Sequence, residues 1–472
     1  MKCLPLLMAA ALILPTIGLS TPESSSAPSA PVTWDTAAEI LARIQAPTFP
    51  DRRFPITDFG AVAGGKTDCT AAIRDAIAAC HAAGGGHVIV PAGDFLTGAI
   101  HLRSNVDLHL EEGATLRFST DPAAYLPVVH TRWEGTECMN YSALIYAFGQ
   151  ENIAVTGKGT LDGGAADSNW WAWKARGTPV SQHDDVKKLN QMADAGVPVA
   201  ERVFGAGHYL RPNFIQPYRS RNVLIEGVKI RRSPMWEVHP VLCENVIIRN
   251  LDIVTHGPNN DGCDPDSCKD VLIEGCNFDT GDDCIAIKSG RNDDGRRVGV
   301  PSENIVIRNC TMKEGHGGVV IGSEIAGGVR NVFVENCRMD SPNLDRALRF
   351  KSNARRGGRL ENVFMRNVTI GQVKEAIVTV DFLYEEGAKG DHRPLLRNVQ
   401  LENITSSSSP RVFYITSFPG AVVDQIKLKD CRFEGVETSE VITHAGSISL
   451  ENVTILPKKL PKSLSTRPAG GD

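Results

Sequence analysis

Asn222-Val223-Leu224-Ile225-Glu226-Gly227-Val228 is followed by Asn245-Val246-Ile247-Ile248-Arg249-Asn250-Leu251 and then by Asp270-Val271-Leu272-Ile273-Glu274-Gly275-Cys276. The same phrase returns at 304–310, 331–337, 362–368 and 398–404, with weaker copies at 425–431 and 447–453 and earlier ones near Asn105 and Asn152. Successive starts from Asn222 onward lie 22 to 36 residues apart. A phrase recurring at that period marks a solenoid, in which each copy is one small unit that cannot stand alone. Within a copy, apolar and polar residues alternate with period two, so each copy is a half-buried strand. Stacking the copies puts Val/Ile columns inside and leaves Asn or Gly at corners that need a tight turn or a side-chain ladder. One repeat has room for three short strands and their bends. The fold class expected is all-β: a right-handed parallel β-helix, one domain over 51–457.

Outward from the repeats, the exposed first rung needs a cover against edge pairing. Thr70, Ile73, Ile77 and Cys80 fall at helical spacing within 68–81, Thr67 or Asp68 can cap the start, and Gly84-Gly85-Gly86 ends it. This predicts an amino-terminal capping helix. Residues 163–212 break the rhythm and carry Trp170, Trp171 and Trp173, as an insertion beside one end of a cleft would. Residues 1–20, with Lys2, an apolar run to Leu19 and small residues at Gly18 and Ser20, read as a signal peptide. Residues 21–50 read as a leader and 458–472 as a loose tail. The expected location is secreted or periplasmic, with no membrane attachment after cleavage and the chain a monomer.

The 472 residues are 42% hydrophobic and 22% charged with net charge −5, which excludes a disordered chain and leaves no basic surface for nucleic acid. Of twelve cysteines, eleven follow Cys3, an odd number. Cys276, Cys310, Cys337 and Cys431 share one repeat position and are expected as small buried hydrophobes. Cys69 and Cys80 are too far apart on a helix to bridge, whereas Cys263 and Cys268 are close enough in sequence to pair. No spacing suits zinc, and no metal or cofactor is expected.

Polar residues that the fold does not require interrupt the rungs. Asn259-Asn260-Asp261-Gly262-Cys263-Asp264 occupies one coil, Gly281-Asp282-Asp283-Cys284 the next and Gly315-His316-Gly317 the one after. Asp282 lies twelve residues past Asp270 and His316 twelve past Asn304, so equal phase stacks them one coil apart. The residues 256–259 can loop out to bring Asp261 level. In the following coil, Arg349-Phe350-Lys351 sets two cations on one strand face. Clustered carboxylates repel, so at least one should keep its proton while another stays ionised, the pairing that glycosidic cleavage uses. The cations would hold an acidic sugar. Asp264, Asp266 and Asp270 could instead ligate calcium.

These four motifs resemble the signature of the polygalacturonases of glycoside hydrolase family 28: Asn-x-Asp, Gly-Asp-Asp, Gly-His-Gly and Arg-x-Lys, in that order along a right-handed β-helix. The resemblance runs from about Phe54 to Leu456, with Asn260 where Thr is frequent and Phe350 where Ile is usual. It implies an inverting hydrolase of α-1,4-galacturonosyl linkages in pectin, with an acidic polysaccharide or oligogalacturonide as its partner. Asp282 would protonate the leaving oxygen, Asp261 and Asp283 would activate water, and His316 would tune the acid. Arg349 and Lys351 would hold a substrate carboxylate, Asn259 would line the sugar site, and Tyr384 matches a sugar-contacting position. Trp236 and His239, one coil earlier, could extend the site, with core roles equally open. Gly315 to Glu324 resembles the exo-acting bacterial branch, which implies release of galacturonate from the non-reducing end. Rhamnogalacturonan or xylogalacturonan hydrolysis, calcium-dependent pectate elimination and a non-catalytic polysaccharide-binding β-helix are the alternatives.

Overall fold

The computed structural model describes residues 31–458. The expected signal peptide, the first part of the leader and the tail after Lys458 lie outside the described residues. Each phrase is a strand of one long parallel stack: Arg221–Glu226, Glu244–Arg249, Lys269–Glu274, Ser302–Arg308 and Val329–Glu335 pair in register, with Val223 on Val246 on Val271 on Ile305 on Val332. A short second strand follows a bend, as in Asp252–Thr255 and Asn277–Thr280. The third face runs through Ile215–Tyr218, single parallel bridges at Val238 and Cys263, and then Ile285–Ile287, Val319–Ile321, Arg346–Lys351, Ala376–Asp381 and Phe413–Thr416. The architecture is the expected right-handed parallel β-helix.

The corners explain the asparagines. Asn222, Asn245, Asn304, Asn331, Asn362 and Asn398 all have φ between 55° and 62°, a left-handed conformation that Asn tolerates better than other side chains. Their amides form a side-chain to side-chain ladder: Asn331 donates to Asn304 at 3.0 Å, Asn362 to Asn331 at 3.0 Å and Asn398 to Asn362 at 2.8 Å. On the outer face, Glu226, Glu274 and Glu335 alternate coil by coil with Arg249, Arg308 and Arg366, so unlike charges stack.

Helix α1 (Trp34–Arg43) corrects the reading of 21–50 as a plain leader. The phrase is not strictly alternating, because its outward central residue is apolar as well: Leu224, Ile247, Leu272, Val306, Phe333 and Phe364 form a stripe on the outside of the solenoid. Such a stripe needs a cover. Ala37, Ile40 and Ile44 supply it, and Arg43 fixes the strap by pairing with Asp270 at 2.8 Å. Helix α2 (Thr70–Ala82) is the expected amino-terminal cap, burying Ile73, Ile77 and Cys80, with the Asp68 carboxylate accepting from the Thr70 amide at 2.9 Å. All eleven cysteines among the described residues are buried free thiols, Cys263 and Cys268 included.

Two excursions leave the solenoid. The 163–212 insertion carries helix α3 (His183–Asp194). A β-hairpin, Val129–Trp133 with Thr136–Asn140, is the one antiparallel strand pair among the described residues. It is held down by Arg132 and Asp266, 2.7 Å apart and both fully buried, and by Asp294 of helix α4 (Asn292–Val298), which accepts from the Glu137 amide at 2.8 Å.

Candidate active site

Stacked register brings the four motifs together. The His316 amide donates to the Asp282 carbonyl at 3.0 Å, and the imidazole Nδ1 lies 2.9 Å from Asp282 Oδ1, so these two residues sit one above the other as the phase counting required. Asp261 is level with Asp283, because the Gly262 amide pairs with the Asp283 carbonyl at 3.0 Å, and Asn260 is the residue level with Asp282. Asn260 is fully buried and anchors the bulge. Its carbonyl oxygen accepts from Thr255 and the Gly257 amide, and its amide donates to the Ser233 and Met235 carbonyls. One carboxylate oxygen each from Asp261, Asp282 and Asp283 lies within 4.8 Å of the others.

Cations set the electrostatics of this cluster. Lys351 Nζ is 2.6 Å from Asp283 Oδ2 and Arg349 Nη1 is 3.8 Å from Asp283 Oδ1, while Phe350 between them points into the core. Burial works against the Lys351 ammonium, but the surrounding acidic groups, Asp283 foremost, leave its pKa raised overall. Tyr384 packs its ring 5.6 Å from Lys351 Nζ and 5.8 Å from the Arg349 guanidinium. Burial also opposes ionisation of Asp282, yet the His316 hydrogen bond, with the charges of His316, Lys351 and Lys288, pulls its pKa down to about 2. Asp282 in turn raises His316 above 6.5. Of the three clustered carboxyls, the one that burial raises is Asp261, assisted by the charges on Asp282 and Asp264; burial raises the neighbouring Asp264 as well. Burial first and neighbouring charge second therefore push Asp261 towards the protonated form, while Asp282 and His316 favour the ionised pair.

Some expected residues sit elsewhere. His239 is fully buried, its Nδ1 3.0 Å from the amides of both Asn213 and Gln216 and its Nε2 3.5 Å from Asp266, so it is a core histidine that cannot reach a sugar. Trp236 lines the pocket, but as a packed platform beneath Lys288, whose Nζ is 4.3 Å above its ring. Asn259 also lines it, its side-chain oxygen held at 2.7 Å by the buried Arg211. The possible calcium ligands are spent on separate partners: Asp264 on Lys288 at 3.5 Å, Asp266 on Arg132 and Asp270 on Arg43. The tryptophans of the insertion do not form the cleft wall: Trp170 and Trp173 are core, and Trp171 donates its indole N–H to the Ser233 carbonyl at 2.9 Å. The insertion's contribution to the pocket is Lys174.

Among the pocket residues that carry no motif in the sequence are Lys288, Arg291, Glu324 and Glu134. Lys288 was accessible to the same phase counting, since pairing of Ile287 with Ile321 and Phe350 puts it in column with Lys351. It is almost fully buried, 3.2 Å from Glu324, 3.5 Å from Asp264 and 3.9 Å from Asp261. Glu134 had a signal too, the two-residue Glu134-Gly135 loop between alternating segments. The pocket is a small one, about 160 Å³, with a mostly polar lining. Its walls mix carboxylates with Lys174, Lys288, Arg291 and Lys351, a lining suited to an anionic, hydroxyl-rich ligand.

The family model described as glycosyl hydrolases family 28 matches residues 206–450. An exopolygalacturonase of Thermotoga maritima, described as hyperthermoactive, superposes with TM-score 0.87 at 48% identity, covering 90% of this chain and 96% of that one. A probable polygalacturonase of Vitis vinifera is 31% identical over 68% of this chain, and an exo-poly-α-D-galacturonosidase of Dickeya chrysanthemi 30% over 70%. These matches span 61% and 57% of the two relatives' own lengths. The chain belongs to family 28 of the glycosyl hydrolases. Among the described residues, no helix is long and apolar enough to cross a membrane.

Proposed function

We propose that the protein is an exported hydrolase of α-1,4-galacturonosyl linkages that removes galacturonate from the non-reducing end of pectin chains. The observation that carries this reading is the cluster of Asp261, Asp282 and Asp283 with the His316–Asp282 pair and the cations Arg349 and Lys351, placed at a pocket that Asp261, Asp282 and Lys351 line. Lys351 and Arg349 hold a substrate carboxylate. Its negative charge offsets theirs, raises Asp282 from its depressed value and lets Asp282 take the His316 proton and pass it to the leaving glycosidic oxygen. Asp261 and Asp283 orient the attacking water; Oδ1 of each is buried and accepts no hydrogen bond from the protein, which leaves an acceptor position for that water once substrate is bound. Its oxygen bonds to C1 as the C1–O bond breaks, and its proton goes to a carboxylate that is ionised at that moment.

Product analysis tests this. Polygalacturonate should yield saturated monomer from the first time points, undiminished by EDTA. A ladder of oligomers would refute the exo mode, and an ultraviolet-absorbing, chelator-sensitive product would favour elimination. The carboxyl cluster is tighter than the roughly 6.5–9.5 Å of the usual inverting pair. We nevertheless expect inversion, so proton NMR should find the β anomer first; the α anomer would refute it.

The pH dependence follows from where the proton sits. kcat/KM should fall on the alkaline side as His316, whose pKa is raised above 6.5, deprotonates, and on the acid side as the base carboxylate becomes protonated. His316→Asn should lower kcat by about 10²-fold and abolish that alkaline limb. An unchanged limb would remove His316 from the relay.

A further inference from the structure

We propose that Glu134 reads the free end of the substrate, its carboxylate accepting a hydrogen bond from the C4 hydroxyl that only a terminal, non-reducing galacturonate carries. This rests on the chain-end reading above. Glu134 and Gly135 close the hairpin as its two-residue loop with φ of 39° and 77°. Loops of that kind place both residues in the left-handed region and favour Asn, Asp or Gly at the first position. A glutamate is strained there, and strained residues concentrate where a side chain is needed at a site.

The tip is pressed against the pocket. A Cβ on Gly135 would fall 2.8 Å from the Arg291 nitrogen and 2.8 Å from the Glu324 side chain, and the Arg291 amide donates to the Gly135 carbonyl at 2.9 Å. With the hairpin locked by the buried Arg132–Asp266 pair, Glu134 is delivered on a rigid arm into the pocket that contains Asp261 and Asp282. Among the described residues its one ion-pair partner is shared: Arg291 lies 3.4 Å from Glu134, 3.8 Å from Glu324 and 3.5 Å from Glu385. An ionised carboxylate has about four acceptor positions, so Glu134 keeps capacity for a sugar hydroxyl.

An internal galacturonate has its C4 oxygen in a glycosidic bond and no hydrogen to offer. A chain continuing past this point would also bring the next uronate's carboxylate towards Glu134, where the partly dry wall strengthens the repulsion. One group thus attracts the terminus and rejects the interior.

The experiment compares saturated trigalacturonate with a trimer whose non-reducing ring is 4,5-unsaturated and lacks the C4 hydroxyl. The wild type should prefer the saturated trimer by about 100-fold in kcat/KM. Glu134→Ala should lose most of that preference through the saturated substrate alone, while Glu134→Gln, which still offers a carbonyl oxygen, should keep a large part of it. A merely structural role would lower both substrates together. A wild type without the preference, or a Glu134→Ala variant that retains it, would overturn the proposal even if polygalacturonate gives monomer only. An oligomer ladder from the wild type would instead overturn the chain-end reading, and this proposal with it.

Discussion

Asp282→Asn is expected to lower kcat by about 10⁴-fold while circular dichroism and the unfolding midpoint stay close to wild type. Asp282 is the carboxyl of the three that reaches furthest into the cleft, its side chain 19% exposed against 4% for Asp261 and none for Asp283. It is also the one joined to His316. An amide there still accepts from His316, so local geometry survives, but it cannot carry a proton to a leaving oxygen. The neutral side chain removes repulsion on Asp261, which limits the effect on folding. Asp283→Asn should behave differently, because Asp283 is fully buried against Lys351 and its loss strands a buried ammonium. Reducing-sugar assays with urea titrations separate the two cases. An Asp282→Asn variant within tenfold of wild-type kcat would end its assignment as acid.

Lys288→Met should destabilise the protein by about 3–5 kcal/mol at pH 7, since removing one partner of a buried ion cluster leaves the others uncompensated. Burial acts against the Lys288 charge, but Glu324, Asp264 and Asp261 more than restore it. Glu324 likewise overcomes its own burial through Lys288, Arg356 and Arg291, which hold it well below the usual carboxylate range. The sign follows from linkage. A carboxylate depressed in the fold contributes stability above its unfolded pKa and loses it as pH falls. In the variant that carboxylate titrates higher, so acidification protonates it and relieves the stranded charge. The deficit relative to wild type should therefore narrow between pH 7 and pH 4.5 in urea titrations. An equal deficit at both pH values would mean that lost packing against Trp236, not lost charge, is what matters.

Much of this molecule could be read along the chain. The Asn-led phrase determined the solenoid, since a period-two strand has no stable solution except stacking on its own copies. Equal phase placed His316 over Asp282, because register in a parallel stack preserves position along the coil. Three things escaped that logic. The outward apolar column headed by Leu224 was visible in the run Val223-Leu224-Ile225, but what covers it, α1, lies some 180 residues earlier in the chain. Lys288 belongs to no motif, and only its place in column with Lys351 marks it. His239 looked like a site residue until its surroundings closed over it.

Sequence alone determined the β-helix, the amino-terminal cap and the presence of the four motifs on adjacent coils, because each follows from periodicity and short-range spacing. Only the tertiary structure decided how burial and neighbouring charges shift each carboxyl, which buried lysine balances the cluster and which hairpin reaches the pocket. The reason is that proton affinity and enclosure depend on burial and on charges only a few ångströms away, and residues such as Arg132 and Asp266, or Glu134 and Arg291, become neighbours only when distant parts of the chain pack together.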